Sequence, residues 1–211
     1  MQIILAQPYL PGLVRQQVAA RHPDASWFEL PSADLLGPNP NDIASLAPAS
    51  HDCLLFGDGM FANSTRIALF GRLKALGCTI HAMVFDHALV CPDVRIGIGS
   101  LVYPHAILDE GVSLGFNVII GPGAVIEAGV SIGNHCFIGA NCVIKRGSVI
   151  GSEVYLTDGT IVGGVHGYRG ETTGITVGRG AAIYDATHVR RDLVIGEVHD
   201  GQLADRVRVI R

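Results

Sequence analysis

Nine histidines, a group of arginines and one glycine-bracketed aspartate are the residues of this 211-residue chain whose types suit chemistry at neutral pH. Histidine titrates close to cellular pH and serves readily as a general base. His166 stands inside the glycine-rich stretch Gly163-Gly164-Val165-His166-Gly167-Tyr168-Arg169-Gly170, where the alternative is a solvent-exposed loop histidine. His135, in Ile132-Gly133-Asn134-His135-Cys136, is the second candidate base; its alternative is a packing or surface role. His105, in Tyr103-Pro104-His105, shares that local spacing without any need for chemistry. His22, His51 and His199 fall in connections, and His81 and His87 flank a junction. Arg169, Arg179, Arg190 and Arg191 crowd the last third of a chain that has only two lysines. A guanidinium fork suits phosphate, the alternative being salt bridges to Glu171, Asp185 and Asp192. Gly57-Asp58-Gly59 follows a core strand and is either a substrate contact or a plain strand-to-helix turn.

The elements that must position these groups fall into two parts. Residues 1–86 read as a small α/β unit: a strand over Gln2 to Ala6, a helix over Leu13 to Arg21, and a strand over Asp52 to Phe56. A helix over Ser64 to Leu76, stopped by Gly77, and a strand over Thr79 to Phe85 complete the unit, and such alternation implies parallel pairing. Pro31 to Ser50, with four prolines, reads as irregular loop. From Val90 an aliphatic residue recurs at every sixth position: Val90, Ile96, Val102, Leu108, Leu114 and so on to Val162. Val177, Ile183, Val189 and Ile195 resume the period after the out-of-register stretch around His166. Small or β-branched residues precede the aliphatic by two positions (Ala106, Ala124, Cys136, Ser148, Thr160), and glycine directly follows it in nine hexads. Such a period means short strands that each turn one large side chain into a common interior. The 27 glycines are therefore assigned to recurring turns.

A net charge of −4 gives no electrostatic reason to expect nucleic acid or an anionic membrane as partner. The opening MQIILAQPYLPG is too short in its apolar run for a signal peptide or a spanning helix, so the cytoplasm is expected. Five cysteines without C-x-x-C spacing argue against a disulfide framework or a structural zinc, and no metal is expected.

The hexad pattern resembles the hexapeptide-repeat, left-handed parallel β-helix acyltransferases. Its order, an α/β unit (Rossmann-like) before the β-helix, is similar to the sugar N- and O-acetyltransferases of the sialic acid and bacillosamine type. The resemblance implies acetyl-CoA as co-substrate, a homotrimer with sites between subunits, and a sugar or nucleotide-linked sugar as acceptor in bacterial surface-glycan biosynthesis. It divides the chain into a nucleotide-sugar unit (1–86), a β-helix (87–200) with an insertion at 163–175, and a tail (201–211). His188-Val189-Arg190-Arg191-Asp192-Leu193 and Gly201-Gln202-Leu203-Ala204-Asp205-Arg206 resemble the terminal segments of that group, with Leu203 and Asp205 departing from its usual proline and basic residue. The usual base, a histidine after the stretch Gly123-Ala124-Val125-Ile126-Glu127, is replaced by Ala128. The first-strand loop Ala6-Gln7-Pro8-Tyr9-Leu10-Pro11-Gly12 likewise lacks the phosphate-binding glycines. By resemblance the base then moves to His166 in the insertion, with His135 behind it, or is dispensed with if an amine acceptor attacks unaided. Gly139 and Gly163 are the expected backbone oxyanion donors, and Arg179, Arg190 and Arg191 the expected contacts to CoA. The other class left open is a degenerate β-helical scaffold or small-molecule binding protein.

Overall fold

The computed structural model describes residues 1–5, 12–29, 50–57, 62–164, 174–200 and 208–209. Strands β1 (Gln2–Leu5), β2 (Ser26–Glu29), β3 (Asp52–Phe56) and β4 (Thr79–Ile80) form a wholly parallel sheet in the order β2-β1-β3-β4, with helices α1 (Gly12–Arg21) and α2 (Ala62–Ala75). The expected strand Thr79 to Phe85 is split in two. Its first half closes this sheet, while Met83–Val84 pairs with Leu101–Val102 and opens the repeat, so the first coil strand lies inside the span read as α/β. β2 has no counterpart in the sequence reading, because a four-residue edge strand with exposed ends carries too short a pattern.

From Met83 the chain winds as a parallel β-helix. Two-residue strands stack into three faces, and each hexad pairs with the hexad eighteen residues later, or twenty-seven where the 163–175 insertion intervenes. The first face begins Met83–Val84, Leu101–Val102, Ile119–Ile120; the second Leu89–Val90, Ile107–Leu108, Val125–Ile126; the third Arg95–Ile96, Ser113–Leu114, Ser131–Ile132. The second residue of each strand points inward: Val102, Ile120, Ile126, Ile138, Ile144 and Leu156 are wholly buried. The small residues two positions earlier, among them Ala106, Ala124, Cys136 and Thr160, line the same interior without exposure. Burying each Val, Leu or Ile is worth about 1.5–3 kcal/mol, and the column repeats that gain coil after coil.

Glycine serves two separate purposes in this winding. The glycine directly after an aliphatic is crowded by the next coil: a Cβ on Gly133 would lie 2.6 Å from the Ser152 nitrogen. The residue three positions after the aliphatic makes the turn in the left-handed region, as Gly123 does at φ +69° and as His105 and His135 do at +63° and +58°. Close stacking and not turning therefore explains the glycines that mark the repeat. At the far end Arg208–Val209 pairs antiparallel with Glu197–His199 and covers that edge of the first face.

The α/β unit sits on the first face. Ile3, Val14, Val18 and Phe56 pack with Met83, Phe85, Leu101, Tyr103 and Ile119 in one cluster. Arg66 of α2 is wholly buried and donates to the Gly99 and Asn117 carbonyls of the coil at 2.6 and 2.8 Å. Phe70 stacks on Phe116 with centroids 5.4 Å apart. Burial lowers the Arg66 guanidinium to about 10, so it remains charged at neutral pH.

Candidate active site

Along the corner after the second face, successive coils set Glu127, Lys145, Gly163 and Arg190 one above another, each directly after an inward aliphatic. The Lys145 ammonium donates to Glu127 Oε1 at 2.7 Å, and Glu127 Oε2 accepts the Arg146 backbone N–H at 2.9 Å. Burial alone would raise the Glu127 carboxyl, but Lys145 and that backbone donor outweigh it and hold the group below the ordinary range. Gly163 has φ +140°, and a Cβ there would come within 2.2 Å of the Lys145 Cβ, so no other residue fits. The Gly163 carbonyl accepts from His188 Nε2 at 3.0 Å, and His188 Nδ1 accepts from Arg190 Nε at 3.2 Å. Directly beyond Gly164 lies 165–173, the stretch that contains His166.

His166, Arg169, Asp58 and Gly59 lie outside the described residues. Gly57 is buried at the carboxyl end of β3. His135 belongs to the junction between α2 and the coil: Nδ1 lies 2.7 Å from Asn117 Nδ2, and the ring meets Phe116 and Phe70 edge-on at 4.9 and 5.5 Å. Burial first, and then the Arg66 charge, lower its pKa. Its surroundings come from the preceding coil, through Asn117 and Phe116, and from α2, through Phe70. Gly139 lies at the corner after the first face and Arg179 at the corner after the third, so the predicted residues occupy three separate corners of one chain.

Two expected roles are corrected by hydrogen bonding. The Gly139 and Gly163 N–H groups donate to Leu156 and Val189 carbonyls at 2.9 and 3.0 Å, so the ladder already uses the amides expected to hold an oxyanion. Arg179 pairs with Glu153 at 2.5 Å and Arg191 with Glu197 at 2.5 Å, in place of Asp185 and the Asp192 carboxylate. Of the three expected CoA contacts, Arg190 alone meets a histidine and, among the described residues, no carboxylate.

Arg191, the Val194 N–H and His199 Nε2 all donate to Glu197, whose side chain is 2% exposed. His199 is therefore part of a strand network and not of a free connection. Burial pushes the Glu197 carboxyl up, yet these three donors bring it to about 2. A depressed carboxyl contributes stability that is complete above its unfolded value and is lost as pH falls through its folded one. That contribution is on the order of 3 kcal/mol. Glu197→Gln is expected to lower the melting temperature at pH 7 by roughly 5–10 °C. Scanning calorimetry should also show the wild type losing more stability than the variant between about pH 4.5 and pH 2; parallel pH profiles would refute the assignment. Glu127, Lys145, Glu153, His188 and Glu197 escaped the sequence reading. Its missed signal was the eighteen-residue spacing that sets Glu127 below Lys145 and His135 below Glu153.

Residues 111–146 match the bacterial transferase hexapeptide family, described as six repeats. The coil carries the bacterial transferase hexapeptide repeat. The hexapeptide chain is also similar in fold to solved structures over almost its whole length. The acetyltransferase domain of PglB from Neisseria gonorrhoeae, solved with acetyl coenzyme A, is 18% identical, with TM-score 0.73 over 99% of this chain and 98% of that one. GDP-perosamine N-acetyltransferase from Caulobacter crescentus, solved with CoA and GDP-perosamine, is 19% identical, with TM-score 0.74 over 98% and 96%. WeeI from Acinetobacter baumannii is 17% identical, with TM-score 0.60 over 100% and 99%. No curated protein sequence matches the hexapeptide chain. Among the described residues no group of histidine, cysteine, aspartate or glutamate is arranged to hold a metal, and no helix is long and apolar enough to cross a membrane.

Proposed function

We propose that this protein is an acetyl-CoA-dependent acetyltransferase acting on an amino or hydroxyl group of a sugar or nucleotide-linked sugar, in bacterial surface-glycan biosynthesis. The observation that carries the reading is the joint likeness of both units: an α/β sheet and a hexapeptide coil in the order, and over nearly the full length, of acetyltransferases solved with CoA or acetyl-CoA. In this reading the coil is left-handed and the α/β unit Rossmann-like. The acceptor lies outside the carboxyl ends of β1 and β3, because the order β2-β1-β3-β4 makes their boundary the point where connections diverge to opposite sides. Gly57 follows β3 directly, and Asp58 and Gly59 come next in the sequence.

Arg190 suits a phosphate of CoA best, its guanidinium meeting no carboxylate among the described residues, while Arg179 and Arg191 would have to share theirs with Glu153 and Glu197. The acceptor nitrogen or oxygen attacks the thioester carbonyl, His166 takes the proton released, and the carbon–sulfur bond breaks to release CoA. Support for a homotrimer comes from the second face. Its outward column, Leu89, Ile107, Val125, Val143 and Ile161, is apolar throughout, with Leu89 65% and Ile107 39% exposed, whereas the third face shows Arg95, Ser113, Ser131, Val149 and Thr176.

One set of measurements tests the proposal. Sedimentation should give three times the 22.3 kDa chain mass. CoA or acetyl-CoA at about a hundredfold over its dissociation constant should stabilise the protein by about 2.7 kcal/mol in a thermal-shift series that includes UDP-, GDP- and dTDP-linked amino sugars. A series in which no CoA species moves the transition would overturn the transferase reading, and a shift with a sugar nucleotide alone would leave a binding protein.

A further inference from the structure

Where α2 meets the coil, His135 stands among groups from three layers of the molecule. Asn117, of the coil below, is wholly buried; its backbone carbonyl receives Arg66 at 2.8 Å, and its side-chain Nδ2 lies 2.7 Å from His135 Nδ1. Phe116 of that coil and Phe70 of α2 meet the imidazole edge-on at 4.9 and 5.5 Å. Among the described residues, the charged groups that act on the ring are Arg66 from α2 and Glu153 from the coil above, and Glu153 is itself paired with Arg179 at 2.5 Å.

An amide nitrogen can only donate, so His135 Nδ1 presents a lone pair to Asn117, and the neutral ring carries its one proton on Nε2. A second proton must enter at Nδ1, the position that faces the amide donor. Turning the Asn117 amide over would receive that proton but would still leave an imidazolium near the Arg66 guanidinium, which bonds to carbonyls and to no carboxylate among the described residues. Burial opposes the charged ring, Glu153 favours it and Arg66 opposes it, and the balance holds the group below its ordinary 6.5. Once α2 moves away, the ring regains its ordinary affinity for protons. The closed junction is therefore at full strength above about pH 6.5 and weakens as the pH falls below that, until the ring protonates in place.

We propose that His135 is a proton-sensitive latch: neutral, it joins α2 to the coil through Asn117, Phe116 and Phe70; protonated, it loosens α2, while the cluster of Ile3, Val14 and Phe56 keeps the α/β unit on the first face. Leu69, Phe70 and Leu73 of α2 pack on Cys53 and Leu55 of β3, so loosening α2 in acid also weakens acceptor binding outside the carboxyl end of that strand. Only this last consequence rests on the proposed function.

The test follows hydrogen exchange of the α2 amides in the full chain at about pH 7 and about pH 5, on either side of the ordinary histidine range. Wild type is compared with His135→Gln, whose side-chain oxygen can accept from Asn117, and with His135→Phe, which can keep the edge contacts; neither replacement titrates. Taking the ratio of wild type to variant at each pH cancels the intrinsic pH dependence of exchange and the histidines common to all three chains. Exchange of α2 in wild type is expected to rise severalfold relative to both variants on going to the lower pH, since a difference of one bound proton shifts an equilibrium by up to about tenfold per pH unit. The interior strands from Ile120 to Leu156 should keep the same ratio throughout. A ratio for α2 that does not change with pH would overturn the inference, as would a rise shared equally by those interior strands. If one variant fails to fold, the other decides by the same ratio. Acceptor binding that is undiminished in acid while α2 exchanges faster would refute the proposed acceptor site and leave the latch standing.

Discussion

Replacing His166 with alanine is expected to lower the turnover of acetyl transfer by about 10²–10⁴-fold, the usual range for loss of a general base, with a much smaller effect on CoA binding. The expectation rests on the distribution of the other histidines. His135 is enclosed by Phe70, Phe116 and Asn117, and burial together with Arg66 disfavours its protonated form. His188 is committed on both nitrogens and His199 to Glu197. His87 and His105 stack on each other at 5.6 Å, and His81 is paired with Asp52 at 2.8 Å. In the sequence, His166 follows Gly163, Gly164 and Val165, in the stretch that interrupts the repeat. Steady-state kinetics with an amine and an alcohol acceptor would distinguish the routes. Loss with both makes His166 the base. Unchanged kcat with the amine alone would assign that proton transfer to the acceptor itself, because an amine can attack without help once oriented.

The second large effect concerns stability. Arg66→Ala should lower the melting temperature by roughly 10 °C or more, because it strips the donors from two buried carbonyls at once, Gly99 and Asn117. Each carbonyl left without a partner costs about 1–3 kcal/mol, and loss of the packed stem adds to that. Among the described residues Arg66 bonds to backbone carbonyls and to no carboxylate, so the usual argument that a buried ion pair can be exchanged for apolar residues does not apply; the coil carbonyls would remain polar whatever replaced it. Arg66→Lys should fall between the two, since one ammonium replaces a fork that reaches two oxygens 18 residues apart in sequence. Thermal denaturation with limited proteolysis would show α2 released before the coil melts. A melting temperature within about 2 °C of wild type would refute the pinning role.

The residue period was legible before any coordinates. One aliphatic every six residues requires short strands around a shared interior, and Val102 to Leu156 lie there with essentially no exposure. Helix and strand alternation likewise identified β1, β3 and both helices, since these have strong local patterns, while β2, short and at the edge, did not. Periodicity marked the glycines but not their purpose. Gly133 is required by backbone eighteen residues away, whereas Gly123 is required by its own φ. A one-dimensional period cannot separate these, because the length of a coil is set by three faces closing on one another.

The same limit explains the side chains. His105 and His135 share a slot in the hexad and even a backbone conformation, yet one stacks on His87 and the other is gripped by α2. Arg179 and Arg191 looked equivalent to Arg190 as phosphate contacts until coil stacking and the terminal strand supplied Glu153 and Glu197 to the first two. The sequence by itself determined what points inward through the regular coils, because that depends only on spacing along the chain; at the last coil, where the spacing changes, Leu193 is buried in place of the expected Ile195, which is 71% exposed. Which outward groups meet was decided by tertiary structure alone, through the eighteen-residue stacking of coils and the docking of the α/β unit on one of the three faces.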